Sequence, residues 1–100
     1  MYFAVWATDH EGKLEARMSV RDAHRARLAN PGAHRVKVVL GGPTLDGAEA
    51  TMNGSLLVIE AEDIDTVRRF VAEDPYQLAG VYASVDIRPW QWGTGRPADA

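Results

Sequence analysis

Residues 2 to 8, YFAVWAT, are aromatic, β-branched or small apolar positions almost without interruption and read as a strand that has no polar face. Phe3, Val5 and Ala7 alternate with Tyr2, Ala4 and Trp6, and further along Leu57 and Ile59 alternate in the same way with Leu56 and Val58. A sheet built from such strands has to be covered on both sides.

The rest of the chain supplies cover for one side only. Glu11 to Ala29 contain no Pro and no Gly apart from Gly12, are rich in Ala, Leu, Arg and Glu, and are closed by Asn30-Pro31-Gly32, which predicts a first helix. Val36 to Leu40 predict a second strand running into Gly41-Gly42-Pro43, and Ser55 to Glu60 a third, with a long loop between them. Asp63 is placed to cap a second helix that carries Ile64, Val67, Phe70 and Val71 on one stripe, and Pro75 forces its end near Asp74. Val81 to Arg88 alternate with period two and give the last strand. The order β-α-β-β-α-β in 100 residues predicts an α+β, ferredoxin-like sandwich: a four-stranded antiparallel sheet with both helices on one face. The uncovered face would expose a larger apolar patch than a soluble monomer tolerates, so a homodimer packed sheet to sheet is expected. A single domain over residues 1–92 and a flexible C-terminal tail over 93–100, where Gly, Pro and small residues gather, complete this outline.

Composition removes several classes of function. Eleven Lys and Arg against fourteen Asp and Glu, with no basic block, argue against nucleic acid as a partner. The lack of cysteine removes disulfides, thiolate metal sites and a cysteine nucleophile. The apolar opening run stops at Asp9, too short for a signal core or a membrane span, so a cytoplasmic location and no membrane partner are expected. His10, His24 and His34 lie in no metal-ligand spacing, and no dinucleotide, phosphate-loop, haem or flavin motif stands out, so neither metal nor cofactor is expected. Ser19, Ser55 and Ser84 lie in no nucleophile elbow. Asn53-Gly54-Ser55 matches a glycosylation sequon and is read as loop chemistry.

Two helical positions stand out. An advance of about 100° per residue aligns Arg17, Arg21, His24 and Leu28 on one ridge of the first helix, at the edge of an apolar side defined by Leu14, Met18 and Leu28. That ridge reads either as snorkelling side chains with their tips in water or as polar groups half-buried at the helix-sheet seam. On the second helix Asp74 falls between Val67 and Phe70 on the apolar stripe, at a C-terminus where the macrodipole disfavours an anion. It either ends the helix through an Asp-Pro turn and faces solvent or has a partner. A helix-end Asp facing a helix-edge His makes a general acid/base pair, because the carboxylate holds the imidazole tautomer. Gly41-Gly42-Pro43 reads as a turn whose N–H groups could also serve a carbonyl or anionic oxygen. Trp6 belongs to the core or the dimer face, and Trp90 and Trp92 to packing or a pocket wall near the tail.

The opening MYFAVWATD, Arg21-Asp22-Ala23-His24 with Leu28, Gly42-Pro43, Gly54-Ser55, Asp74-Pro75-Tyr76, Ala79-Gly80-Val81-Tyr82 and Ile87-Arg88-Pro89-Trp90 together resemble the YciI-like, or YCII-related, family over residues 1 to 92. The resemblance implies a ferredoxin-like fold assembled as a dimeric α/β barrel, with a His-Asp pair at its site. Carried onto this chain the pair is His24 and Asp74, with Gly42, Pro43 and Arg21 lining the same pocket; Trp90 stands where the family usually closes with another aromatic. The fold is shared with muconolactone isomerases, and one YciI-like protein eliminates chloride from a chlorinated hydroxyquinol. The implied chemistry is proton transfer on a small oxygenated molecule by a cofactor-free lyase or isomerase. His24 would be its acid or base, Asp74 the orienting carboxylate and Gly42 N–H an oxyanion donor. The alternative is a non-catalytic dimeric domain that binds a small molecule. A haem-degrading or oxygen-dependent monooxygenase on the same architecture is a third reading without a motif behind it.

Overall fold

The structure, a computed structural model, describes residues 1–98. Strand β1 spans Tyr2–Asp9, helix α1 Leu14–Ala29, β2 Lys37–Leu45, β3 Met52–Glu60, α2 Ile64–Ala72, the single-turn α3 Pro75–Leu78, and β4 Tyr82–Trp90. The four strands form one antiparallel sheet in the order β2-β3-β1-β4. This is the ferredoxin-like arrangement, with one short helix added.

Register assigns the two faces. Phe3, Val5 and Ala7 lie opposite Ile59, Leu57 and Ser55 on β3, and opposite Pro89, Ile87 and Val85 on β4. On this face Phe3, Val5, Leu57 and Ile59 pack with Val67, Phe70 and Val71 of α2 into the main core. Asp63 caps α2 as expected, accepting from the Thr66 N–H at 2.8 Å. A smaller cluster of Ala7, Tyr76, Val81 and Tyr82, joined by Ala16 and Val20 of α1, fills the other end. The opposite face carries Trp6 beside Leu56, and both are exposed, as are Leu40 and Trp90.

Three expectations change. Gly41-Gly42-Pro43 is not a turn: β2 continues through it to Leu45, with Gly42 opposite Leu56 and Pro43 opposite Ser55. β2 is an edge strand, where a proline is tolerated because one side of its backbone has no ladder to serve. The long loop therefore shrinks to residues 46–51, a turn closed by Asp46, whose carboxylate receives the N–H groups of Ala48 and Glu49. On α1, Leu14 and Met18 are exposed, whereas the buried positions are Arg17 and His24, flanked by half-buried Ala16, Val20, Arg27 and Leu28. The polar ridge is the inward face, because each of its buried heads has an acceptor waiting below it.

At the C-terminal end Trp92 meets the Tyr2 ring edge-on, with centroids 5.7 Å apart, and Arg96 Nη2 donates to Tyr2 Oη at 3.0 Å. Residues 99 and 100 of the expected tail lie outside the described residues. No helix among the described residues is long and apolar enough to cross a membrane.

Candidate active site

The third correction concerns Asp74. Helix α2 stops at Ala72 with Glu73 as its C-cap, and Asp74 is extended (φ −62°, ψ 136°) and caps α3 instead. Pro75 takes the first helical position, where its missing N–H costs nothing, and Oδ1 of Asp74 receives the Tyr76 N–H at 2.8 Å. The carboxylate thus sits at the start of a helical turn, where an anion is favoured, and the dipole objection disappears. It is buried at 2% exposure, which a charge tolerates only with partners.

Its second partner is His24. Nδ1 of His24 lies 2.9 Å from both Oδ1 and Oδ2 of Asp74, inside the protein. A carboxylate accepts, so Nδ1 carries a proton, and in the neutral imidazole the lone pair is on Nε2. Nε2 has no partner among the described residues, and His24 lines a cavity of about 440 Å³ between α1 and the β2-β3 edge. Arg21, Gly42 and Pro43 line the same cavity, so it gathers all the expected site residues except Asp74, which stands behind His24. Glu73 turns away to the surface, where its Oε2 meets Nε2 of His34 at 2.8 Å.

A second polar group, only partly signalled by the sequence, abuts the pair. Arg17 binds Asp9 with two hydrogen bonds, Nε to Oδ2 at 2.8 Å and Nη2 to Oδ1 at 3.1 Å, and Nη2 also donates to Ser55 Oγ at 2.9 Å. Burial lowers the affinity of the guanidinium for its proton, but the Asp9 hydrogen bond and charge more than offset this and hold it above its ordinary pKa. Tyr82 Oη donates to the same Ser55 Oγ at 2.9 Å. Tyr76 joins the two groups: its ring stacks on His24 with centroids 4.0 Å apart, and the Arg17 guanidinium carbon lies 4.2 Å from the ring centroid. Burial pushes the hydroxyls of Tyr82 and Tyr76 up, so both are neutral.

Sequence reasoning set Ser55 aside with the other serines. Its signal was present, since Ser55 is the one hydroxyl on the inward phase of β3, two residues before Leu57 and four before Ile59. Asp9 and Tyr82 gave no signal of their own, because each ends or begins a strand where a polar residue is ordinary. Among the described residues no cluster of three or more His, Asp or Glu is arranged to hold a metal ion.

A family model for the YCII-related domain matches residues 1–91. The chain belongs to the YCII-related domain family. This YCII-related domain is 35% identical over 95 residues to an uncharacterized protein of Haemophilus influenzae and 32% identical over 99 residues to the protein YciI of Escherichia coli. Each match covers 91% of this chain and 97% of the relative. Among solved structures it is similar to 5-chloro-2-hydroxyhydroquinone dehydrochlorinase, TftG, from Burkholderia phenoliruptrix, determined in complex with 2,5-dihydroxybenzoquinone. The TM-score is 0.81 with 35% identity over 93% of this chain and 96% of that one. At 11% identity the Arabidopsis thaliana protein At3g17210 shares the fold, with a TM-score of 0.51 over 96% of this chain and 98% of that one.

Proposed function

We propose that this YCII-related domain is a cofactor-free enzyme of the lyase or isomerase kind, moving a proton on a small oxygenated organic molecule held in the cavity beside His24. The observation that carries this reading is the buried contact of Nδ1 with both oxygens of Asp74, which in the neutral ring puts the free lone pair on Nε2 of a cavity-lining residue. In this role His24 Nε2 takes a proton from the substrate and returns it at another position or to a departing group, while Asp74 holds the ring and stabilises the imidazolium that forms. Arg21, Gly42 and Pro43 bound the substrate. The similarity to a dehydrochlorinase that binds a hydroxylated quinone supports the substrate class. Gly42, on the edge strand β2 and lining the cavity, is the proposed N–H donor to an oxyanion.

The active species is a homodimer that buries the face bearing Trp6, Leu56 and Leu40, because side chains of that size are otherwise left against water.

The test is turnover of a panel of chlorinated hydroxyquinols, lactones and β-eliminable acids by the purified protein and by His24→Ala. Activity in the parent that disappears in the variant is expected. Turnover that survives His24→Ala overturns the mechanism, and binding without any chemical change in the parent points instead to a binding domain.

A further inference from the structure

Ser55 poses a problem of proton accounting. Its Oγ receives a hydrogen bond from Arg17 Nη2, a group that can only donate. The neighbouring Tyr82 Oη lies 2.9 Å away, and the proton of that contact can belong to either hydroxyl. If Ser55 gave its proton to Tyr82, the Tyr82 proton would be left buried with no acceptor, since Ser55 is the only hydrogen-bond partner of that hydroxyl among the described residues. Ser55 lines the cavity, where its proton can meet water or a ligand, and Tyr82 does not, so Tyr82 donates and both lone pairs of Ser55 Oγ are taken. Its own proton has no acceptor in the described protein, and Ser55, at 2% exposure, lines the cavity. A hydroxyl in this state is a fixed donor and a poor nucleophile.

The charges around it point the same way. Four cationic or potentially cationic side chains line the cavity: Arg17, Arg21, His24 and Arg25. Arg17 is matched by Asp9 and His24 by Asp74, so the two carboxylates of the region are spent. Arg21 and Arg25 make no ion pair among the described residues, which leaves the cavity with two uncompensated guanidinium groups and a hydroxyl that can only donate.

We propose that the cavity takes a small anion, a phenolate, enolate or carboxylate, whose negative oxygen rests on the Ser55 O–H while Arg21 and Arg25 supply the matching charge; this rests on the cavity being the ligand site. Arg17, Asp9 and Tyr82 are then positioning residues. Arg17 and Tyr82 fill the acceptor sites of Ser55 so that its proton turns to the ligand, and Asp9 holds Arg17 in place.

The probe is 2,5-dihydroxybenzoquinone, an acidic quinone that is anionic at neutral pH, titrated into the full chain by absorbance or calorimetry. Ser55→Ala is expected to raise its Kd about tenfold or more, the effect of one hydrogen bond to a charged acceptor, and Ser55→Thr to restore most of the affinity. Arg21→Gln is expected to raise Kd and flatten its dependence on salt. If Ser55→Ala loses its cooperative melt, Ser55→Cys, similar in shape but a weak donor, carries the same comparison. A Kd unchanged by Ser55→Ala or Ser55→Cys, or a parent that does not bind the anion at millimolar concentration, overturns the proposal. Binding is read without turnover, so the two readings fail separately. An anion held through Ser55 with no substrate turned over removes only the acid/base mechanism, whereas turnover with Kd indifferent to Ser55 removes only this one.

Discussion

Oδ1 of Asp74 is shared between the Tyr76 N–H at 2.8 Å and His24 Nδ1 at 2.9 Å, while Oδ2 faces only His24. The carboxylate therefore cannot rotate without losing its cap. In Asp74→Asn the backbone N–H retains the amide oxygen, and the NH₂ takes the place of Oδ2, where it donates to Nδ1. The imidazole proton then moves to Nε2, and the base is lost while the fold stays. Ring ¹⁵N shifts are expected to show the Nδ1–H tautomer of His24 in the parent and the Nε2–H tautomer in Asp74→Asn, with turnover down about 10²-fold or more. The same tautomer in both proteins would end the argument.

Arg17 and Asp9 are 2% and 5% exposed at their side chains, so removal of one leaves a charge without water or partner. Arg17→Met is expected to lower unfolding stability by about 3 to 5 kcal/mol in urea, and the double variant with Asp9→Leu to recover part of that loss. Arg17→Lys should not rescue, because an ammonium cannot bind Asp9 with two parallel bonds and reach Ser55 as well.

Alkaline stability follows from the buried tyrosines. Tyr76 and Tyr82 both have pKa values raised above their ordinary value, chiefly by burial. The unfolded chain releases those protons near pH 10 and the folded chain holds them. Unfolding free energy is therefore complete below about pH 10 and falls as pH rises beyond it. Ultraviolet titration should show Tyr76 and Tyr82 ionising only with loss of structure, and Tyr82→Phe should weaken the alkaline slope.

Trp6 is 53% exposed on a sheet face it shares with Leu56. Trp6→Glu is expected to convert a dimer into a monomer in sedimentation velocity runs without changing the circular dichroism of the fold. A parent that sediments as a single chain would remove the dimer from the picture.

At Gly54 β3 is crowded from both sides, by β1 and by β2. A Cβ there would run into the Ala7 carbonyl and Thr44 Oγ1. Gly54→Ala is expected to cost about 1 to 3 kcal/mol in denaturant unfolding and to disturb the neighbouring Ser55.

Periodicity carried most of this fold. Alternation in residues 2–8 and 81–88, the Asp63 cap and the Val67–Phe70–Val71 stripe were readable because each is a local pattern with a local cause. Gly41-Gly42-Pro43 was not, because turn composition was overruled by pairing with β3, a partner far along the chain. For the candidate site, the wheel placed His24 on a ridge and family resemblance paired it with Asp74. The wheel erred on where α2 ends: Asp74 belongs to the next turn, and its two-residue reach to the Tyr76 N–H is what a sequence pattern cannot distinguish from a helix end. Which face of α1 is buried depended on acceptors contributed by β1, β3 and the α2-α3 link, so Leu14 and Met18 were misread as inward.

The polar centre draws Asp9 from β1, Arg17 and His24 from α1, Ser55 from β3, Asp74 and Tyr76 from the turn after α2, and Tyr82 from β4. No hairpin or helix pair contains enough of it to exist alone. The centre is therefore complete only when β1, β3, β4, α1 and the turn after α2 are all in place, and losing any one of them dismantles it.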